Sequence, residues 1–116
     1  ARITPEQLKS KLDGGEKVLI IDLRSSAELK ETGKLPGAIW FDLKTIGDAQ
    51  VPRDRDVVLY CSCPNEAAAA KAALLLRARG ITRVRPLEGG YDAWRERDYP
   101  LDLPASAVTT PVKPSL

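Results

Sequence analysis

The sequence predicts a single α/β layered domain in which strands alternate with helices. Three observations support this: an apolar, β-rich run over residues 18–22, a second such run over 57–60 that ends at a cysteine, and an alanine-rich segment after it. Uninterrupted apolar runs of this length are typical of parallel strands that helices cover on both faces. A chain of 116 residues with 43% apolar and 29% charged residues suits one such domain with its own core.

The composition also excludes several classes of function. A formal net charge of +2, with basic and acidic residues mixed along the chain, does not indicate a nucleic-acid-binding protein. The chain contains no histidine, so neither a Ser-His-Asp nor a Cys-His nucleophile can be built, and we expect no metal site and no cofactor. No stretch is apolar enough to span a membrane and the N-terminus lacks a signal-peptide pattern, so we expect no membrane contact by this segment and a cytoplasmic location. The absence of an initial Met suggests that the segment comes from a longer precursor or from a multidomain protein.

The N-terminal segment predicts a helix followed by a strand. Thr4 is placed as the N-cap, Pro5 as the first helical residue, and Gln7 three residues after Thr4 completes a capping box. The helix should end at the glycines after Asp13. The first predicted strand, over 18–22, then begins.

Two charged residues stand at the end of that strand. Asp22 and Arg24 are placed where open α/β sheets carry their sites, so they either support a site or form a structural pair that pins the turn. A capping-box spacing predicts a short helix over 26–31. The turn cluster over 33–38 leads into a second short strand over 39–41.

The middle of the chain predicts two more helices around the central strand. Asp42 can cap a short helix that continues to about Ile46, and the polar stretch over 47–55 is expected to be a surface loop. After the cysteine loop, the alanine-rich helix should run to Arg79 and stop at Gly80.

The C-terminal part predicts one more strand, one more helix and a tail. The alternating character of residues 81–87 is typical of a strand near the edge of a sheet. A short helix over 91–95 follows, and its Trp94 is expected to anchor the core. From composition, we expect a domain over 1–103 and a tail or linker rich in Pro, Ser and Thr over 104–116.

Cys61 is the residue from which a function is best argued. It follows the predicted central strand directly, and the helix after the loop presents unpaired amides and the positive end of its dipole to that loop. Such a position favours the thiolate, which is the nucleophilic form of cysteine. Cys63 is either a bystander or a resolving thiol that attacks a persulfide on Cys61. A bridge between Cys61 and Cys63, which are separated by one residue, would close a small, strained ring, so the two cysteines are a poor disulfide framework.

Four motifs fall in the order and spacing of a rhodanese domain, and the sequence resembles that family over roughly residues 3–101. The motifs are Asp22-Leu23-Arg24, Gly33-Lys34-Leu35-Pro36-Gly37-Ala38, Tyr60-Cys61 and Leu87-Glu88-Gly89-Gly90-Tyr91-Asp92-Ala93-Trp94. The resemblance implies a doubly wound α/β fold with a central, mainly parallel five-stranded sheet and a catalytic cysteine, Cys61, that carries sulfur as a persulfide. It also implies an anion-binding loop supported by Asp22 and Arg24 and formed by Ser62, Cys63, Pro64, Asn65, Glu66 and Ala67.

The sequence departs from the family pattern at three positions. Lys34 stands where the family usually has His, at a position that we expect to be structural. Pro64 stands where the family often has Gly, and it offers no N–H to an anion. Glu66 stands where the family typically has Arg or another residue suited to an anion, and a carboxylate beside a thiolate is unfavourable for both.

The resemblance therefore implies a sulfurtransferase that moves sulfane sulfur from thiosulfate or a persulfide to a thiol or cyanide. Its partners would be these small molecules and not nucleic acid. The alternative is a non-catalytic regulatory or docking module within a larger protein. Phosphatases and arsenate reductases that share the fold have a loop one residue longer that ends in Arg, and this loop contains no Arg.

Overall fold

A computed structural model describes residues 2–25, 27, 32–62 and 67–103 of this protein. These residues contain the strands β1 (Val18–Asp22), β2 (Ile39–Trp40), β3 (Asp56–Tyr60) and β4 (Val84–Pro86). The four strands form one sheet in the order β2-β1-β3-β4, and all three neighbouring pairs are parallel.

Helices cover both faces of this sheet, which confirms the predicted α/β class. The helical elements span α1 (Pro5–Asp13), a short 3₁₀ turn (Ile46–Asp48), α2 (Ala67–Ala78) and α3 (Gly90–Glu96). One buried apolar cluster joins α2 and the 3₁₀ turn to one face of the sheet, and a second joins α1 and α3 to the other face. The uninterrupted apolar runs in the sequence therefore correspond to strands with no solvent-facing side.

The N-terminal helix begins as the sequence predicted. The Thr4 side chain accepts a hydrogen bond from the Gln7 amide, and the Gln7 side chain accepts one from the Thr4 amide. Both bonds satisfy amides that the first turn of a helix leaves unpaired. This capping box starts the helix at Pro5, and the residue before it that pairs with the edge of the sheet is Ile3.

The pairing of Ile3 accounts for the difference in the number of strands. The family resemblance implies five strands, whereas the described residues form four strands and a single parallel bridge between Ile3 and Leu87. The Ile3 amide donates to the Pro86 carbonyl at 3.0 Å, and the Glu88 amide donates to the Ile3 carbonyl at 2.8 Å. The fifth position of the sheet is thus occupied by one residue beyond β4, which stands near the edge as predicted.

Other expectations have mixed outcomes. The helix expected from Asp42 to Ile46 is instead a turn, in which the Asp42 side chain accepts from the Lys44 amide and the Asp42 carbonyl from the Thr45 amide, followed by the 3₁₀ turn. Helix α2 ends at Ala78, one residue before its predicted end, and Trp94 is fully buried as expected.

The predicted helix over 26–31 lies largely outside the described residues, and the predicted tail over 104–116 lies wholly outside them. The domain boundary at residue 103 stays a prediction. Among the described residues, no helix has the length and apolar composition needed to cross a membrane.

Candidate functional site

Cys61 lies at the carboxyl edge of the sheet, directly after β3. This strand is interior, with β1 on one side and β4 on the other. Cys61 itself is 3% exposed and belongs to the apolar cluster beneath α2. Of the predicted anion-binding loop, Ser62 and Ala67 are described and exposed, whereas Cys63, Pro64, Asn65 and Glu66 lie outside the described residues.

The sulfur of Cys61 is disulfide-bonded in this structure. Any nucleophilic chemistry at Cys61 therefore starts from its reduced form. Whether Cys63 is a bystander or a resolving thiol stays open, because Cys63 lies outside the described residues.

The main chain of Cys61 is held by the start of α3. The Tyr91 amide donates a hydrogen bond to the Cys61 carbonyl at 3.0 Å. Gly90, with a φ of +60°, lies so close that a Cβ on it would stand 2.1 Å from the Cys61 carbonyl oxygen. Residue 90 must therefore be glycine, both for its backbone conformation and for this close approach.

Asp22 and Arg24 form a buried ion pair beside this strand end. Asp22 is 0% exposed and Arg24 is 3% exposed. The Arg24 Nη2 atom lies 2.9 Å from Asp22 Oδ2, Nε lies 3.1 Å from the same oxygen, and the Arg24 amide donates to Asp22 Oδ1 at 2.8 Å. Several charge-assisted hydrogen bonds are needed to offset the cost of burying two charges.

The hydroxyl of Tyr60 joins this pair from the neighbouring strand. Tyr60 is the register partner of Asp22 in the β1–β3 pairing, and its hydroxyl donates to Asp22 Oδ2 at 2.5 Å. The same hydroxyl accepts a hydrogen bond from the Leu35 amide at 3.1 Å. Burial, followed by the hydrogen bond to the Asp22 carboxylate, raises the pKa of Tyr60 well above its usual range. Tyr60 therefore stays protonated and acts as a donor.

Two aromatic rings enclose the Arg24 guanidinium. Its central carbon lies 4.1 Å from the ring centroid of Tyr91 and 5.7 Å from that of Tyr60. Burial opposes its charge, but the hydrogen bonds and charge of Asp22 outweigh burial, so the pKa of Arg24 lies above its usual value. We call the set of Asp22, Arg24, Tyr60 and Tyr91 the Arg24 cluster.

The turn over 33–38 ties the Arg24 cluster to the end of the domain. On its inner side, the Gly33 carbonyl accepts from Arg24 Nη2 at 2.8 Å. On its outer side, Lys34 and Asp102 exchange two main-chain hydrogen bonds of 2.9 and 2.8 Å. The Gly37 amide also donates to Asp102 Oδ2 at 2.8 Å, and Lys34 Nζ donates to the carbonyl of Ala38 within the turn at 2.6 Å.

The structure thus places Cys61, Asp22 and Arg24 at one edge of the sheet, as their positions after strands predicted. Sequence reasoning missed the roles of Tyr60 and Tyr91, although both belong to motifs that it singled out. Tyr60 and its hydrogen-bond partner Asp22 are 38 residues apart in the chain, and no local sequence pattern predicts a contact over that separation. Within the described ranges, no group of three His, Cys, Asp or Glu side chains could hold a metal ion.

Comparisons with known proteins agree with this arrangement. A protein of Allochromatium vinosum named sulfurtransferase is 35% identical over 104 residues, which cover 88% of this chain and 94% of the relative. A protein of Stutzerimonas stutzeri named thiosulfate sulfurtransferase GlpE is 29% identical over 102 residues, covering 88% and 90% of the two chains. The crystal structure of the Alr3790 protein from Anabaena sp. matches with a TM-score of 0.79 at 26% identity, covering 90% of this chain and 85% of that one. Residues 4–97 match the family described as rhodanese-like domain. The chain therefore belongs to the rhodanese-like domain family.

Proposed function

We propose that this domain is a sulfurtransferase that carries sulfane sulfur as a persulfide on Cys61. The observation that supports this most directly is the position of Cys61 between the carboxyl end of β3 and the start of α2 at Ala67. The dipole of α2 and the amides of its first turn favour negative charge in the intervening loop. A persulfide carrier has to stabilise an anion at this point.

Once Cys61 is reduced, the proposed cycle needs only a sulfur donor and a sulfur acceptor. The thiolate of reduced Cys61 attacks the outer sulfur of thiosulfate, the sulfur–sulfur bond of thiosulfate breaks, and sulfite leaves with the bonding electron pair. An acceptor thiolate or cyanide then attacks the outer sulfur of the Cys61 persulfide. The products are an acceptor persulfide or thiocyanate, and the Cys61 thiolate is regenerated.

The choice of thiosulfate as donor rests on similarity. The relative from Stutzerimonas stutzeri carries that donor in its name, and it aligns over 88% of this chain. The sequence of the loop argues for a second candidate, because Pro64 removes an anion donor and Glu66 adds a negative charge. A chain that keeps the fold but binds no sulfur donor would be a regulatory or docking module.

Intact-protein mass spectrometry separates these two functions. The protein is first reduced with a thiol, which is then removed, and it is exposed to thiosulfate. The sulfurtransferase gains one sulfur atom, loses it when cyanide is added, and shows the added sulfur on Cys61 when the peptide that carries both cysteines is fragmented in the mass spectrometer. Cys61→Ser should gain none, because serine is a far weaker nucleophile at the same position.

Two results would contradict this function. If the reduced protein gains no sulfur from thiosulfate or from a small persulfide donor, the docking module is the better description. If peptide mapping finds the added sulfur on Cys63, a sulfurtransferase is retained but Cys61 is not its carrier.

A further inference from the structure

We propose that Tyr91 is a positioning residue for Cys61, an inference that rests on the proposed function of Cys61 as the sulfur carrier. Tyr91 is the second residue of α3 and is 6% exposed. Its main-chain amide donates a hydrogen bond to the Cys61 carbonyl, and its ring contacts the buried Arg24 guanidinium. One residue thus connects the end of β3 to the charged group at the end of β1.

The main-chain contact is tight. The hydrogen bond from the Tyr91 amide fixes the Cys61 carbonyl at 3.0 Å, and the preceding Gly90 stands against the same carbonyl with no room for a side chain. Because these two residues begin α3, the position of the helix and the orientation of the Cys61 peptide are coupled. A displacement of α3 has to move or release the Cys61 carbonyl.

The ring contact determines where α3 stands. A guanidinium over an aromatic face is attracted by the ring quadrupole, more strongly when both groups are withdrawn from water, as they are here. Arg24 is itself fixed by its hydrogen bonds to Asp22, so the Tyr91 ring packs against a group that cannot easily move. The contacts close a ring of interactions that runs through Cys61, Tyr91, Arg24, Asp22, Tyr60 and back to Cys61.

The proposed consequence of losing this contact is a lower rate of sulfur transfer. A persulfide carrier works only if its sulfur faces the donor and the helix amides together, and misplacement by about 1 Å can cost on the order of 100-fold in rate. Tyr91→Leu removes the aromatic face but keeps an apolar side chain and the main-chain amide. Helix α3 would then lose the contact that fixes it beside Arg24, and the Cys61 peptide would lose its fixed orientation.

Steady-state sulfur transfer from thiosulfate to cyanide tests this, at a temperature where circular dichroism shows each reduced variant fully folded. We expect Tyr91→Leu to lower kcat about tenfold or more while KM for thiosulfate changes less than about twofold. Tyr91→Phe keeps the aromatic face and should restore kcat to within about twofold of the unsubstituted protein. If Tyr91→Leu does not fold, Tyr91→Met replaces it, since methionine fills similar space without a ring.

Tyr99→Leu is the matched control. Tyr99 is partly buried and packs edge-on against Trp94, with ring centroids 4.9 Å apart, beside the apolar cluster that contains Tyr91. Its loss should lower stability and leave kcat unchanged. The proposal is overturned if Tyr91→Leu, fully folded, retains kcat within twofold, or if Tyr99→Leu lowers kcat as much as Tyr91→Leu does.

A second measurement separates this inference from the proposed function. The rate at which iodoacetamide alkylates reduced Cys61 needs no sulfur transfer, and it is measured with Cys63→Ser present in both proteins, so that Cys61 is the only thiol that reacts. If the unsubstituted protein takes up no sulfur while Tyr91→Leu changes the alkylation rate severalfold, the positioning role stands and the proposed function fails. If sulfur is taken up and both the alkylation rate and kcat are unchanged in Tyr91→Leu, the proposed function stands and the positioning role fails.

Discussion

Replacing Tyr60 by phenylalanine removes one oxygen atom from the centre of the Arg24 cluster. The hydroxyl donates to the Asp22 carboxylate and accepts from the Leu35 amide, and all three residues are 0% exposed. A hydrogen bond to a charged group contributes about 1.5–3 kcal/mol, and an amide left buried without a partner costs about 1–3 kcal/mol. Allowing for partial relaxation, we expect Tyr60→Phe to lower the free energy of unfolding by about 2–4 kcal/mol, a large share of the roughly 5–15 kcal/mol typical of a domain.

Urea unfolding of the reduced protein, followed by circular dichroism, measures this loss as a lower midpoint at an unchanged slope. Tyr99→Phe is the control, because its ring keeps the edge-on contact with Trp94 and its hydroxyl forms none of the hydrogen bonds found among the described residues. The control should stay within about 0.5 kcal/mol of the unsubstituted protein. A loss below about 1 kcal/mol for Tyr60→Phe would refute the reasoning, since the Leu35 amide and the carboxylate would then have other partners.

Two further predictions concern the carboxylates of Asp56, the first residue of β3, and of Glu66, the residue before α2 in the sequence. Asp56 accepts hydrogen bonds from Lys11 Nζ at 3.0 Å and Arg83 Nε at 3.1 Å, and the Lys11 contact holds the pKa of the Asp56 carboxyl below its usual value of 3.8. A lowered pKa in the folded state gives stability that is present above the unfolded value and lost as pH falls through the folded value. Asp56→Asn should therefore lower Tm by about 2–4 °C at neutral pH, with the difference closing as the pH falls below 3.8 and through the lowered pKa of the folded state; a difference that stays constant as the pH is lowered would count against this reason. Glu66 lies outside the described residues. If its carboxylate repels thiosulfate, Glu66→Arg should raise kcat/KM for thiosulfate about tenfold and make it more sensitive to salt, whereas an unchanged kcat/KM with a lower Tm would assign Glu66 to capping α2.

The elements that the sequence predicted well are those governed by local rules. The capping box at Thr4, the strand ending at Tyr60 and the helix stop near Gly80, where φ is +87°, each depend on residues within a few positions of one another. The number of strands could not be obtained in this way, because the contribution of Ile3 depends on its meeting Leu87 from the other end of the domain.

The site shows the same division between local and distant contacts. Asp22 and Arg24 could be placed at a sheet edge because they follow a strand, but their burial depends on distant residues. Tyr60 looked like one more β-forming residue in an apolar run, and Tyr91 like part of a short helix. A tyrosine inside a fully apolar strand is nevertheless a signal, since its hydroxyl must find a buried partner.

The contact between Asp102 and the turn over 33–38 has a consequence for the order in which the site is assembled. The Asp102 carboxylate and the Gly37 amide are 65 residues apart in the chain, and the segment between them includes Cys61. Closing so long a loop is entropically costly and occurs only after both ends are available. During synthesis on a ribosome, the turn that holds Arg24 and Tyr60 gains its outer support only after residue 102 has left the exit tunnel. Cys61, the proposed sulfur carrier, is thus made before its surroundings are complete, and a chain arrested before that point would carry it beside a turn that lacks this support.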